Sequence, residues 1–321
     1  MNSRLAGHRR RTVLVVSLGL ASGALALSAC ATESGAIATA SDSKEASSLA
    51  ASASAATATP SSGSAVAASS ELQCSPDTMT TKVEHLLTIG TDKPAYPPYF
   101  VNDNPKNGKG FESAVAYAVA KQLGFDAAHV KWITVPFDSS YQPGRKAFDF
   151  DINQISVTTA RAKVVDFSAG YYNVNQAVVA LKGSKADGVT TLAGLKKLKF
   201  GVQVGTTSLR TLQENVQPIK QPSVFNDTSA ATKALKNKQV DAIVVDLPTA
   251  FYISAAELDN GVITGQFAAP ESGEHFGLLL EKGSTELPCV NKAVAAITDS
   301  GELQKITDKW LGAGAGVVTF S

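Results

Sequence analysis

The chain has 321 residues, with 29 Lys and Arg against 28 Asp and Glu, which gives a formal net charge of +1. It shows neither a basic stripe nor an alternation of basic and aromatic side chains, so the composition argues against a nucleic-acid partner. Beyond the first thirty residues, no apolar run reaches the length needed to span a membrane.

Residues 1–29 have the pattern of an export signal peptide. The basic start MNSRLAGHRRR precedes an apolar run, TVLVVSLGLASGALAL, that is too short and wrongly flanked for a stable membrane span. The tetrapeptide LSAC, which ends at Cys30, resembles the bacterial lipobox. That resemblance implies lipidation of Cys30, which would become the first residue and hold the protein at the outer face of the cell membrane.

Two alternatives remain for this leader. One is a plain signal peptide with a chance cysteine. The other is twin-arginine export, which Arg10-Arg11 suggests only weakly, so we favour the general route. Removal of residues 1–29 leaves 25 basic and 28 acidic side chains, a net charge of −3.

Residues 30–73 are mostly Ala, Ser and Thr, with almost no large apolar side chains. Such a segment cannot bury enough surface to offset the entropy lost on ordering. We therefore expect a flexible tether between the lipid and the folded part. About 250 residues follow, enough for two lobes or one large domain.

Strand-like and helix-like segments alternate from residue 85 onward. The segment HLLTIGTD reads as a strand, GFESAVAYAVAKQLGF as an amphipathic helix and KWITVPF as a second strand. In FDFDI, apolar residues alternate with Asp149 and Asp151, which we expect on a solvated strand face. The short apolar runs KVVDFS and NQAVVALK come next.

A second series of the same kind begins near residue 189 and runs through KFGVQV, GTTSLRTLQENV, SVF, NDTSAATKALKNKQ and VDAIVVD. Repeated alternation predicts an α/β fold with largely parallel sheets. A later strand, EHFGLLLEKGS, and two final helices suggest a return to the first lobe. We expect hinge crossings near residues 177–181 and 277–280. The predicted lobes are 74–178 with 278–321, and 179–277.

A single guanidinium, Arg161, follows the hydroxyl-rich run SVTTA. Arg161 either lies in a solvated surface turn or binds an anion. Thr206-Thr207 support anion binding, because they open a helix whose free N–H groups favour an anion. Asp246 ends a strand, where ligands of open α/β sheets bind, but it could equally cap the next helix.

The chain from about residue 86 to 312 resembles bacterial family 3 solute-binding proteins, the extracellular amino-acid receptors of ABC importers. The resemblance rests on six segments in order: IGTDKPAYPPYF, GKGFESAVAYAVAKQLGF, ISVTTARAKVVDFSAGYY, LKFGVQVGTTS, LKNKQVDAIVVD and LQKITDKWLG. It implies a two-lobed periplasmic-binding-protein-like fold of type II, each lobe a mainly parallel sheet flanked by helices. It also implies an ABC permease as partner and no cofactor, and we expect a monomer.

The resemblance assigns roles at the amino-acid end of the ligand. Arg161 matches the clamp on the α-carboxylate, Ser156 a supporting backbone N–H, and Thr207 a helix N-terminus on the same carboxylate. The Gln154 carbonyl and the Asp246 carboxylate match the acceptors of the α-ammonium.

Four further positions match the side-chain end of the pocket. Asp92 matches an acid, Tyr96 and Phe137 match aromatic walls, and Gln203 matches a lining residue. These groups predict a neutral polar or basic L-amino acid, because an acidic ligand would be repelled by Asp92. The bulk of Gln154 slightly favours small neutral amides.

Cys74 and Cys289 form an even pair if Cys30 carries lipid. In an oxidising compartment this predicts one disulfide from the start to the end of the domain, with two free thiols as the alternative.

Two other function classes share the scaffold. One is a cyclohexadienyl dehydratase-like enzyme, in which carboxylates would act as acid and base. The candidate acids are Asp92, Glu112, Asp138, Asp149 and Asp151. The other is a ligand-sensing module. The sequence contains no His/Cys cluster with metal-ligand spacing, no GxSxG elbow and no Walker A motif. We therefore favour the receptor.

Overall fold

The computed structural model describes residues 72–269, 273–312 and 316–321. The predicted signal peptide, the lipidation site at Cys30 and nearly all of the predicted tether lie outside the described residues. Among the described residues, no helix combines the length and the apolar content needed to cross a membrane.

The strands in the described residues are β1 Leu87–Thr91, β2 Val130–Thr134, β3 Phe150–Asp151, β4 Val165–Asn173, β5 Gln176–Leu181, β6 Phe200–Gln203, β7 Ser223–Phe225, β8 Ala242–Asp246, β9 Gly261–Gln266 and β10 His275–Glu281. The α-helices are α1 Phe111–Gln122, α2 Phe137–Ser140, α3 Thr159–Ala162, α4 Leu192–Leu195, α5 Thr207–Thr211, α6 Thr228–Lys236, α7 Leu247–Tyr252, α8 Leu287–Asp299 and α9 Glu302–Trp310. Single π-helical turns, Leu212–Val216 and Ile253–Glu257, extend α5 and α7.

The strands form two five-stranded sheets, which define two lobes. Lobe 1 has the order β2-β1-β3-β10-β4 and lobe 2 the order β7-β6-β8-β5-β9. In lobe 1, β1, β2 and β3 run parallel, and β10 runs antiparallel to its neighbours β3 and β4. In lobe 2, β6, β7 and β8 run parallel, and β5 runs antiparallel to its neighbours β8 and β9. The sheets are therefore mixed rather than mainly parallel as predicted, because the strand that follows each lobe crossing, β5 or β10, runs in the opposite direction.

Lobe 2 is buried on both faces of its sheet, which explains the unbroken apolar runs of β5 and β8. Successive side chains of a strand point to opposite faces. Val178 and Val244 accordingly pack into one core with Phe200, whereas Val179 and Ile243 pack into a second core beneath α6 and α7. A two-sided apolar strand is the pattern expected where helices cover both faces of the sheet.

The sheet of lobe 1 is also covered on both faces, so the expectation that Asp149 and Asp151 lie on a solvated strand face is wrong. Asp149 is buried and accepts the backbone N–H groups of Lys82 and Thr88, both at 2.6 Å. Asp151 is fully buried in the central strand β3. Burial raises the pKa of Asp149 to about 6 and that of Asp151 well above its usual value. Neither carboxyl lies on a solvated face, because the sheet is covered on both sides.

The predicted disulfide is confirmed. Cys74 and Cys289 are bonded, with Cα atoms 5.5 Å apart and a sequence separation of 215. The bond joins Cys74, just before the first described turn, to helix α8. Closing so long a loop restricts the unfolded chain and contributes on the order of 2–5 kcal/mol to stability.

The lobe crossings come a few residues earlier than predicted. The first lies between Asn173 and Gln176 and the second between Gln266 and His275. The apolar runs at 177–181 and 277–280 belong to strands rather than to hinges. The remaining boundary assignments stay predictions.

The C-terminal tail departs from its predicted place in lobe 1. The Gln266 N–H donates to the Val318 carbonyl (2.8 Å) and the Phe320 N–H donates to the Gln266 carbonyl (2.9 Å). The Phe320 ring packs 5.0 Å from that of Phe267 in a lobe 2 core. Residues 316–321 therefore return to lobe 2, because their one large apolar side chain finds its burial site there.

The two lobes touch across the cleft at several polar contacts. The Tyr141 hydroxyl and the Arg161 guanidinium both donate to the Gly205 carbonyl, at 3.2 and 2.9 Å. The Tyr96 hydroxyl donates to Glu257 at 2.9 Å. The structure is thus a closed arrangement of the lobes, with the Gly205 carbonyl as a shared acceptor.

We expect Gly205→Ala to weaken this closed arrangement. Gly205 has φ +72°, a conformation unfavourable for alanine, and a Cβ there would overlap the Tyr141 hydroxyl. Small-angle X-ray scattering should show an increased radius of gyration. The matched control is Gly183→Ala, which has φ +75° but open space around the added Cβ. Equal radii for the two variants would contradict the closure role of Gly205.

Candidate functional site

A cavity lies between the lobes, at the carboxyl ends of six strands. Lobe 1 lines it with Asp92, Pro94, Tyr96, Phe137, Asn153 and Gln154. Lobe 2 lines it with Gln203, Thr206, Thr207, Ser208, Asp227, Thr228, Ser229, Val244, Val245, Asp246 and Thr249. The loops after β1, β2, β3, β6 and β7 and the last residue of β8 all contribute. This is the edge at which open α/β sheets bind ligands.

Seven of the nine predicted ligand-binding residues line this cavity: Asp92, Tyr96, Phe137, Gln154, Gln203, Thr207 and Asp246. Ser156 and Arg161 lie beside the cavity and are both buried. The Ser156 hydroxyl is 3.4 Å from that of Thr207 across the lobe boundary. The nine positions therefore gather in one region of the cleft.

Arg161 is turned into the protein rather than toward solvent. Thr158 caps helix α3 by accepting the Arg161 N–H, which places the guanidinium at the cleft. The guanidinium donates to the Ser156 carbonyl (2.6 Å) and lies 4.5 Å from the centre of the Tyr141 ring and 5.4 Å from that of Phe137. Arg161 is only 7% exposed, and its planar cation lies against two aromatic rings. The alternative of a solvated surface turn is therefore wrong.

Asp246 does not act as a helix cap. It precedes helix α7, but its side chain makes no capping hydrogen bond. Its carboxylate instead accepts the Gln176 amide N–H at 2.7 Å. Burial raises the pKa of Asp246 to about 8, and the nearby Glu274 charge adds to the rise. A cation placed beside this buried carboxyl would lower its pKa and favour the ionised form.

Gln176 and Glu274 are site residues that were not predicted from the sequence. The Gln176 amide donates to Asp246 and lies within 3.3 Å of Thr207 and 3.2 Å of Glu274. Glu274 is buried and accepts the Ser156 hydroxyl at 2.5 Å. The signal for Gln176 was a polar residue at the head of the apolar run NQAVVAL, and that for Glu274 was an acid just before the strand HFGLLLE.

Asp227 is the third missed residue. It caps α6 by accepting the Ala230 N–H at 2.7 Å. It also lines the cavity opposite Asp92. Burial raises the pKa of Asp92, and the charges of Asp227 and Asp138 add to the rise, against backbone hydrogen bonds from Lys93 and Phe137.

The cavity is consequently acidic. Its described lining residues include Asp92, Asp227 and Asp246 and no Lys, Arg or His. Within residues 72–269, 273–312 and 316–321, no group of three or more His, Cys, Asp or Glu side chains is arranged to hold a metal ion. The arrangement can bind one anionic group at Arg161 and cationic groups at the three aspartates.

Comparisons with known proteins agree with this geometry. Residues 87–313 match the model of the bacterial extracellular solute-binding proteins, family 3. The L-cystine-binding protein TcyJ of Escherichia coli (strain K12) is 31% identical over 233 residues, 71% of this chain and 83% of that protein. The arginine-binding periplasmic protein of Mannheimia haemolytica is 28% identical over 73% of this chain and 94% of its own length.

A solved structure of an ancestral arginine-binding protein bound to arginine is also similar. It has a TM-score of 0.61 and 33% identity, and the match covers 71% of this chain and 99% of the ancestral chain. The fold is that of the type II periplasmic binding proteins. The chain belongs to family 3 of the bacterial extracellular solute-binding proteins.

Proposed function

We propose that this protein is the extracytoplasmic receptor of an ABC importer and that it binds a polar L-amino acid between its lobes. The observation that carries the proposal is one buried guanidinium beside a cavity that three aspartates line. A free amino acid carries both charges on adjacent groups. Burying them is tolerable only when each has an oppositely charged or hydrogen-bonding partner.

In this proposal, Arg161 and Thr207 bind the carboxylate of the ligand. In the structure, the Arg161 guanidinium donates to two neutral backbone carbonyls. Charge-assisted hydrogen bonds to a carboxylate are stronger than these, and the guanidinium fork fits a carboxylate in a bidentate manner. The N-terminus of the helix that starts at Thr207 adds N–H donors from the other lobe. A ligand carboxylate would therefore hold both lobes.

The side-chain end of the cavity favours a cation. Asp92 and Asp227 face one cavity from opposite lobes and repel each other electrostatically. A guanidinium or ammonium between them would relieve this repulsion, whereas a neutral amide would not. The initial preference for small amides also loses its support, because the Gln154 side chain donates to Glu112. We therefore propose a basic amino acid, with L-arginine first.

A calorimetric panel of L-amino acids tests this proposal, with ligand first stripped from the protein by unfolding and refolding. We expect L-arginine to bind at least about tenfold more tightly than L-citrulline, its neutral isostere, which corresponds to about 1.4 kcal/mol. Asp227→Asn should remove this advantage, and Asn still caps helix α6. The matched control, Asp259→Asn, changes an exposed aspartate of the same lobe.

Three outcomes of the panel are informative. Tightest binding of glutamate, aspartate or leucine would contradict the basic side-chain assignment and leave the amino-acid receptor standing. Equal affinity for arginine and citrulline would do the same. Absence of binding by any amino acid would reject the receptor itself.

Amino-acid affinity should rise with pH between 6 and 8. The pKa of Asp246 is raised to about 8 in the unliganded protein, so this carboxyl must lose a proton to pair with the ligand ammonium. Below that pKa the affinity falls by up to about tenfold per pH unit, and above it the dependence flattens. Titration calorimetry of L-arginine at several pH values measures the slope. Asp246→Asn should bind weakly and show little slope, and an unchanged slope in this variant would contradict the assignment.

We further propose that the receptor is tethered by lipid at Cys30 and delivers its ligand to a membrane permease. The family is extracytoplasmic. Support for the anchor comes from the LSAC tetrapeptide and from the Ala/Ser/Thr-rich segment 30–73 that follows it. The proposed tether ends next to Cys74. The disulfide between Cys74 and Cys289 holds this point of the chain at helix α8.

A further inference from the structure

Gln154 adopts a backbone conformation that is costly for its residue type. Its φ is +48°, in the left-handed region that glycine prefers. It lies in the cavity wall, between strand β3 and the bridge that pairs Ser156 with Phe276. A non-glycine residue in this region persists only where its surroundings hold it there, and such residues cluster at ligand sites.

The neighbours of Gln154 are held by the sheet of lobe 1. The Ile152 N–H donates to the Gly90 carbonyl at 3.0 Å, and the Ile155 carbonyl accepts the Gly277 N–H at 3.2 Å. These bonds secure the segment on either side of Gln154. They leave the Gln154 peptide to be held by a side chain.

That side chain is Glu112, in the first turn of helix α1. Its carboxylate accepts the Gln154 backbone N–H at 2.6 Å and, with its other oxygen, the Gln154 side-chain amide. The Tyr171 hydroxyl donates to the same carboxylate at 2.5 Å and orients it from strand β4. Glu112 is fully buried and does not line the cavity. An acid placed in the interior needs donors of this kind, and two of the three come from one residue.

We propose that Glu112 is a positioning residue for ligand binding, which acts by holding Gln154 in its left-handed conformation and so shaping the cavity wall from Asn153 to Ser156. This inference rests on the proposed amino-acid receptor function. Glu112 acts through Gln154 and touches no ligand. Loss of its carboxylate would release the Gln154 peptide, which would then relax toward a conformation more favourable for glutamine.

The test is a mutant cycle read by calorimetry and thermal unfolding. The probe is whichever amino acid of the calorimetric panel, with L-cystine added, binds the wild-type protein most tightly. We expect Glu112→Gln to weaken binding about tenfold, or about 1.4 kcal/mol. Combined with Gln154→Gly, the same change should cost less than about threefold relative to Gln154→Gly alone, because glycine adopts the left-handed conformation unaided.

The matched control is Asp149→Asn. Like Glu112, Asp149 is a buried carboxylate held by hydrogen bonds. It accepts two backbone N–H groups and lies outside the cavity wall. Its substitution should lower the unfolding temperature and leave the affinity unchanged.

Wild-type affinity in Glu112→Gln would overturn the inference while the receptor function stands. A tenfold loss that persists in the Gln154→Gly background would overturn it as well, because Glu112 would then act by another route. Failure of every amino acid in the panel to bind the wild-type protein would reject the receptor function, and this inference with it.

Discussion

The site depends on one constraint, the burial of a single guanidinium where two lobes meet. Arg161 is 7% exposed, packed against the rings of Phe137 and Tyr141, and bonded to a backbone carbonyl from each lobe. A buried cation must find acceptors, and here they come from Ser156 on one side and Gly205 on the other. The same side chain therefore links lobe closure to anion binding. If a ligand carboxylate replaced either carbonyl, the guanidinium would still have an acceptor for its hydrogen bonds.

The acids of the cleft form the other half of this electrostatic arrangement. Asp92 and Asp227 face each other, and Asp246 lies close to Glu274. Like charges in a poorly solvated cleft oppose closure and raise the pKa of the acids involved. The proposed basic ligand would remove that opposition. Selectivity and closure would then have one physical origin, because the ligand that best neutralises the acids would also best stabilise the closed lobes.

Much of this could be predicted from sequence, and the failures have two physical causes. Asp246 ends a recognisable strand, and the resemblance to family 3 assigned both Asp92 and Asp246 to the pocket. Gln176 and Glu274 were missed because they lie at the starts of antiparallel strands β5 and β10. In β5, Gln176 pairs directly with Asp246, which brings a strand beginning to the same edge as a strand end. The expectation of mainly parallel sheets hid that edge. Periodicity also could not reveal that both faces of β3 are covered, so Asp149 and Asp151 were assigned to solvent.

The most direct measurement of the central claim compares L-arginine with agmatine, the same molecule without its carboxylate, on wild-type protein and on Arg161→Ala. Calorimetry should show wild-type protein binding L-arginine far more tightly than agmatine. Arg161→Ala should lose about 30- to 4000-fold in affinity for L-arginine, the range for a desolvated charge partner, with agmatine affinity unchanged. Thermal unfolding of the variant verifies its fold. Wild-type affinity of Arg161→Ala for L-arginine, or an equal loss for both ligands, would contradict the claim that Arg161 holds the ligand carboxylate.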